Sequence, residues 1–279
     1  LLRLNMSHIE VKDLTKYIKI IRKYTSTPIC IDTEGAQIRT KIKNTKFYKK
    51  NQIIFFNKKK NKNIFYPEYI NSRLKPGDIL DVGFQGLKIK IKKNTKTKIV
   101  FKVLDEGTFE NNKGVYIRNR KFKLNYLTNK DLKAIKIAKK LNINNFALSF
   151  TNSVSDMKNF SKILPFEKKI FKIETKQALK DIKKILAHGE NFLIDRGDLS
   201  KEISIEMIPV AQRKILSTAY KLKNKNIFVA TNFLESMLTN AEPTRGEVND
   251  IYSTLSLGAS GLVLAAETAI GKYPIECVN

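Results

Sequence analysis

The stretch "IFKIETKQALKDIKKILAHGENFLIDRGDL", residues 170–199, runs strand, helix, strand. Its opening, "IFKIET" (170–175), is mostly Ile, Phe and Thr, types that favour strands. Alternate side chains of an extended chain share a face, so Ile170, Lys172 and Glu174 point one way and Phe171 and Ile173 the other. Lys172 and Glu174 then stand roughly 7 Å apart along the strand. Taken alone, these residues describe a surface strand with two solvated charges. The neighbours change that picture. "ALKDIKKILAH" (178–188) has helical periodicity, and "NFLIDRGDL" (191–199) is another short apolar strand with a polar end. A strand that returns through a helix to a second strand is the unit of a parallel sheet, buried on both faces. Charges at the end of such a strand are costly without partners. A functional pair becomes the better account of Lys172 and Glu174, with a purely structural ion pair as the alternative.

The same rhythm extends in both directions. "NFALSF" (145–150) follows "NKDLKAIKIAKKL" (129–141), and "IFKIET" follows "VSDMKNFSKIL" (154–164). "NIFVATNFLESM" (226–237) follows "EMIPVAQRKILSTAYKL" (206–222), and "GLVLAAET" (261–268) follows "GEVNDIYSTLSL" (246–257). Evenly spaced units of this kind favour an α/β fold of the (β/α)₈ TIM-type barrel over an open sheet. The first residues supply two more units: "RLNMSH" (3–8), the helix "VKDLTKYIKIIRKY" (11–24), and "PICIDTEGAQIRT" (28–40) as a strand with its polar tip. Residues 41–114 alternate instead, as in "QIIFFN", "LKIKIKK" and "KIVFKVL", with turns at "KPGD" and "DEGT". They are expected to form a small inserted antiparallel β-domain, and residues 1–40 with 115–279 the barrel domain. The lysine-rich "NKKKNKN" (57–63) is expected as a solvated loop. Seven barrel strands result, so an eighth is expected upstream of Leu1 or from another chain, and the last helix is expected to continue past "YPIECVN" (273–279).

The chain of 279 residues carries a formal charge of +27. The excess is mostly Lys and accompanies abundant Asn and Ile, all encoded by A/T-rich codons. Compositional drift accounts for all three together, whereas nucleic-acid binding accounts only for the charge. No apolar run is long enough to span a membrane, and no signal peptide is visible. The two cysteines, Cys30 and Cys277, match no metal spacing, so a reducing cytoplasm is the expected setting.

Ten stretches, in order, resemble the pyruvate kinase family: "RLNMSH" (3–8), "DTEGAQIRT" (32–40), "NKGV" (112–115), "LTNKD" (127–131), "FALSF" (146–150), "KIET" (172–175), "RGDLS" (196–200), "ATNFLESM" (230–237), "PTRGEVND" (243–250) and "ETAIGKYPIE" (267–276). The resemblance implies a (β/α)₈ barrel with a β-domain inserted after its third strand. The family's first barrel strand and C-terminal regulatory domain have no counterpart in these residues. It also implies the glycolytic reaction, phosphoryl transfer from phosphoenolpyruvate to ADP giving pyruvate and ATP, with Mg²⁺ or Mn²⁺ and K⁺ as cofactors. The implied partners are phosphoenolpyruvate and ADP or ATP; neither membrane nor nucleic acid is expected, and whether the chain forms a homo-oligomer stays open.

The family's roles map onto matching positions. Glu174 and Asp198 correspond to the divalent-metal carboxylates, and Lys172 to the lysine that stabilises charge during transfer. Arg3 corresponds to the arginine that meets the phosphoryl group. Gly197, Asp198 and Thr231 correspond to the substrate-carboxylate site, where backbone N–H groups of the "RGDLS" turn are expected to face an anion. A plain helix cap is the alternative role for Asp198. Asn5, Ser7, Asp32 and Thr33 correspond to the monovalent-cation site, and His8, Arg39 and Lys113 to groups near the nucleotide phosphates.

Several positions depart from the pattern. Ala265 stands where the family has a serine, Glu34 for a common lysine, Asn232 for a glutamine, and Gln37 at the position linked to K⁺ dependence. Asp195 replaces a small apolar residue, and a carboxylate facing the pocket there would repel a substrate carboxylate. Beside phosphotransfer stand a paralogue acting on another enolpyruvyl or 2-oxo acid compound, a non-catalytic ligand-binding relative and, on the charge alone, a polyanion-binding protein.

Overall fold

The computed structural model describes residues 1–58, 64–83, 86–120 and 122–279. Most of the "NKKKNKN" segment (57–63) therefore lies outside the described residues. The chain divides into two compact units, residues 1–35 with 126–279, and residues 36–125.

In chain order the first unit begins with β1 (Leu2–Asn5), α1 (Val11–Tyr24) and β2 (Ile29–Asp32). The second unit contains β3 (Ile38–Thr40), β4 (Lys46–Tyr48), β5 (Ile53–Asn57), β6 (Phe65–Tyr66), α2 (Ile70–Arg73), β7 (Ile79–Val82), β8 (Leu87–Asn94), β9 (Lys98–Asp105), β10 (Gly107–Phe109) and β11 (Gly114–Ile117). The chain returns to the first unit with α3 (Asn129–Lys140), β12 (Asn145–Leu148), α4 (Val154–Ile163), β13 (Lys168–Ile173), α5 (Lys176–Lys180), α6 (Ile182–Ala187), β14 (Asn191–Asp195) and α7 (Arg196–Leu199). It closes with α8 (Ile208–Leu222), β15 (Asn226–Ala230), α9 (Arg245–Ser256), β16 (Gly261–Val263) and α10 (Ala266–Ala269).

The first unit holds a seven-stranded sheet in the order β1-β2-β12-β13-β14-β15-β16, parallel throughout, the barrel-type sheet the βα rhythm calls for. Its period-2 pattern sorts the side chains. Leu4, Ile31, Phe146, Phe171, Ile173, Phe192, Ile194 and Val229 join one apolar core with the helices, including Leu14 and Ile18 of α1 and Ile215 of α8. Arg3, Asp32, Lys172 and Asp195 occupy the alternate positions, on the other face. Local chemistry fixes where the helices start. The Thr128 side chain accepts the Asp131 N–H in a capping box at α3, Ser153 caps α4, Thr175 caps α5, and Thr244 and Glu247 form a second capping box at α9. Among the described residues no helix is long and apolar enough to cross a membrane.

The second unit is antiparallel: a seven-stranded sheet ordered β5-β9-β8-β7-β11-β3-β6 and the pair β10-β4. In β8, Leu87, Ile89 and Ile91 are buried between less buried lysines, the alternation visible in "LKIKIKK". Phe65 and Phe101 pack edge to face within its core, and buried Asn71 binds the backbone of Ile64, Phe65 and Glu68.

One expectation needs correcting. "PICIDTEGAQIRT" is not one strand with its tip: β2 ends at Asp32 in the parallel sheet and β3 begins at Ile38 in the antiparallel one. The break centres on Gly35, at φ +67°, where a Cβ would come within 2.6 Å of the Ser149 carbonyl oxygen. β3 and β11 thereby belong to the antiparallel sheet, so that sheet reaches beyond residues 41–114 on both sides.

Candidate active site

Five parallel strands bring their ends together at one rim. β1 supplies Arg3, β2 Asp32, the end of β12 Ser149, β13 Lys172 and then Glu174, and β14 Asp195. The Lys172 ammonium lies 2.8 Å from Glu174 Oε1, 3.2 Å from Asp32 Oδ2 and 3.4 Å from Asp195 Oδ2. It also donates to Ser149 Oγ at 3.3 Å, while that hydroxyl donates to Asp32 Oδ1 at 3.0 Å. Arg3 Nε stands 3.3 Å from Asp32 Oδ2. Lys172 is thus no solvated charge: it is buried, and three carboxylates surround it.

Burial pulls the pKa of both cations down, but the surrounding carboxylates outweigh it. Asp32, Glu174 and Asp195 raise Lys172, and Asp32 and Asp195 lead the rise at Arg3. Glu174 is shifted the other way from a usual ion-paired acid. Burial pushes its carboxyl up, Lys172 opposes, and Asp195, Asp198 and Asp32 add to the rise. Around the Lys172 and Arg3 cations, the acidic groups Asp32, Glu174 and Asp195 crowd together, which favours protonation of the most buried of them, Glu174.

Glu174 is fully buried; its Oε2 accepts the Phe150 N–H, and its Oε1 accepts no hydrogen bond although Lys172 lies beside it. Carboxylate oxygens of Glu174, Asp195 and Asp198 lie within 4.8 Å of one another, a spacing that oxygen ligands of one hard cation could share. The sequence pointed to Glu174 and Asp198, which the structure does bring together. Asp195 joins them, and it faces the pocket.

The turn after β14 differs from expectation. The Gly197 N–H donates to Thr231 Oγ1 at 2.8 Å, and the Asp198 N–H to Asp195 Oδ1 at 3.3 Å. Those two N–H groups were expected to face an external anion and are instead bonded within the protein. Asp198 Oδ1 also meets the Lys201 ammonium at 2.7 Å. Thr231 itself has φ +73°, a conformation unfavourable for a β-branched residue. Arg196 holds it there: Nε and Nη2 donate to the Thr231 carbonyl, Nη1 meets Asp250 Oδ2 at 2.6 Å, and the guanidinium lies 4.0 Å from the Phe233 ring centre.

The other sequence-derived residues fall as follows. Asn5 pairs in register with Asp32, and its Oδ1 accepts the Ser7 N–H at 2.9 Å. Thr33 Oγ1 accepts the Ser149 N–H at 3.0 Å. Both Asp32 oxygens are therefore already engaged, by Arg3, Lys172 and Ser149. His8 is exposed in the turn after β1. Arg39 and Lys113 belong to the second unit, on neighbouring positions of β3 and just before β11; Arg39 Nη1 donates to Asn112 O at 3.2 Å, and Lys113 meets Glu110 at 2.8 Å. Glu34 pairs with Lys130 at 3.0 Å and accepts from Thr128, and Gln37 donates to Tyr116 Oη at 3.0 Å.

Ser149, Arg196 and Lys201 were missed. Ser149 sat in plain view in the polar strand end "SF", Arg196 between two aspartates in "DRGD", and Lys201 three residues after Asp198, the spacing of neighbours on a helical turn.

A family model described as pyruvate kinase, barrel domain, matches residues 1–278. The pyruvate kinase of Methanocaldococcus jannaschii is 33% identical over 286 residues, covering 99% of this chain and 62% of that protein. The pyruvate kinase of Thermotoga maritima is 31% identical over 304 residues, covering 99% and 63%. Plastidial pyruvate kinase 3, chloroplastic, of Arabidopsis thaliana is 31% identical over 296 residues, covering 99% and 51%. The chain thus spans between 51% and 63% of the length of these relatives.

Proposed function

The chain belongs to the pyruvate kinase family, and from that premise we propose that the rim of its parallel sheet transfers a phosphoryl group from phosphoenolpyruvate to ADP, giving pyruvate and ATP as a step of glycolysis. The observation that carries this reading is one buried ammonium, Lys172, held among Asp32, Glu174 and Asp195 beside the Arg3 guanidinium. Phosphoryl transfer asks a protein mainly for positioning and for charge at the right place. Lys172 keeps its proton and stabilises the oxygens of the moving group. Arg3 has a buried Nη1 that makes no hydrogen bond, an N–H suited to a phosphoryl oxygen.

Glu174 and Asp198 would hold Mg²⁺ or Mn²⁺. The buried Glu174 Oε1, whose partner is the shared Lys172 ammonium, and the all-oxygen donor set fit such an ion. When bound, it supplies positive charge against the phosphoryl and enolate oxygens. Thr231 and the Gly197–Asp198 turn orient the substrate carboxylate, which requires their present internal hydrogen bonds to be shared or exchanged. Asn5, Ser7, Asp32 and Thr33 offer oxygens for K⁺, and His8, Arg39 and Lys113 serve the nucleotide phosphates. A cytoplasmic homo-oligomer completes the proposal.

Asp195 favours a second reading, a paralogue that acts on another enolpyruvyl or 2-oxo acid compound, because its carboxylate faces the position where substrate charge would lie. The test is pyruvate formation by the full-length chain from phosphoenolpyruvate and ADP with Mg²⁺, with and without K⁺. Lys172→Met is expected to lower kcat by about 10³-fold, with an unchanged circular-dichroism spectrum. A wild-type chain that binds phosphoenolpyruvate yet is as inert as Lys172→Met would be a ligand-binding relative instead.

A further inference from the structure

Asp195 ends β14 and is 5% exposed. Its two oxygens have different partners. Oδ1 accepts the Asp198 N–H at 3.3 Å, and Oδ2 lies 3.4 Å from the Lys172 ammonium. The side chain therefore sits on a donor that an acidic ligand's carboxylate would otherwise use. It also lies within 4.8 Å of ligand oxygens of both Glu174 and Asp198.

Three carboxylates this close repel one another unless a cation lies among them. The ammonium groups at hand do not complete that balance. Lys172 is shared with Asp32, and Lys201, a partly exposed side chain, reaches Asp198. Glu174 is 0% exposed, and the partner of its Oε1 is the Lys172 ammonium, 2.8 Å away and shared with Asp32 and Asp195. A buried carboxylate oxygen with spare capacity beside two further carboxylates is what a hard divalent ion requires.

We propose that Asp195 is a specificity-determining residue of this pocket. Its carboxylate adds a third oxygen to the pair Glu174 and Asp198, so a divalent cation binds tightly on its own, and an acidic ligand without that cation is turned away. Two effects follow from the one charge: attraction for the cation and repulsion of the ligand carboxylate. The choice of phosphoenolpyruvate as the acidic probe rests on the phosphotransfer reading; the cation effect does not.

The experiment compares the full-length wild type with Asp195→Asn and Asp195→Ala. Asn keeps an oxygen able to accept the Asp198 N–H, so it removes the charge while sparing the turn. Mn²⁺ binding is followed by the paramagnetic resonance of the free ion, and phosphoenolpyruvate binding by calorimetry in a chelator. Removing one carboxylate this near the ion is expected to weaken Mn²⁺ binding by about tenfold in both variants. The same change is expected to tighten cation-free phosphoenolpyruvate binding by about tenfold. Unchanged Mn²⁺ affinity, unchanged phosphoenolpyruvate affinity, or an effect in Asp195→Ala that Asp195→Asn lacks would each overturn the inference. A wild type that binds no Mn²⁺ overturns it together with the metal assignment. A wild type whose Mn²⁺ affinity depends on Asp195 but which forms no pyruvate removes only the phosphotransfer reading.

Discussion

Glu247 gathers four hydrogen bonds onto one carboxylate, from the N–H and hydroxyl groups of both Ser236 and Thr244. Burial pushes its pKa up, but the Ser236 and Thr244 bonds outweigh this and bring it down to about 2. A depressed folded-state value means that the ionised form stabilises the fold. That stabilisation is complete above the ordinary value of 4.5 and fades as pH falls to about 2. Glu247→Gln is therefore expected to lower the urea midpoint at neutral pH, and to flatten its dependence on pH in the acid range. Equal midpoint-versus-pH curves for the two proteins would contradict this. At this scale the sequence was legible wherever a charge met a pattern. Lys172 and Glu174 stood out because a buried parallel strand has no reason to carry them. Arg3 gave no such signal, since a basic residue in a first short strand looks like an ordinary terminus, and only the resemblance marked it. Lys201 was lost among many lysines, most of them surface groups.

The tip of β15 shows what an element conceals. Thr231 and Asn232 have φ +73° and +60°, a strain on the order of 1–3 kcal/mol each that persists only where neighbours impose it. Arg196, in the turn after the adjacent strand, is that neighbour. Arg196→Met is expected to destabilise the protein by roughly 1–3 kcal/mol. On the phosphotransfer reading, it should also raise KM for phosphoenolpyruvate more than it lowers kcat, because Thr231 would lose its fixed orientation. Arg196→Lys should recover part of the stability but little of the KM, since an ammonium cannot copy the two parallel bonds to one carbonyl. Denaturant titration together with steady-state kinetics checks both statements. "NIFVATNFLESM" contains no glycine, so nothing in it announces a left-handed turn. "DTEGAQIRT" does contain one, and Gly35 is where the two sheets part company. All seven parallel strands were readable because apolar runs, helices and polar ends recur together. Their edges were not, because a strand stops where tertiary hydrogen bonds redirect it.

Across the whole molecule, two separate apolar cores match the change from helical to alternating periodicity along the chain. Charge is distributed less evenly than composition suggests. A chain with net charge +27 concentrates Asp32, Glu174, Asp195 and Asp198 at one rim. The lysine excess says nothing about that pocket, as expected of a compositional drift spread along the chain. On the reading that Asp198 helps hold a divalent ion, its contact with Lys201 has a consequence for the fold without that ion. The Lys201 ammonium neutralises part of the charge on Asp198, and on the phosphotransfer reading a divalent ion would compete with it for that carboxylate. A cation bound at the rim would stabilise the fold by linkage. Chelation is therefore expected to lower the melting temperature of the wild type, and to lower that of Lys201→Ala further, with both recovering when Mg²⁺ is restored. Thermal melts of both proteins in chelator and in excess Mg²⁺ would decide whether this lysine supports the rim when no divalent ion is bound.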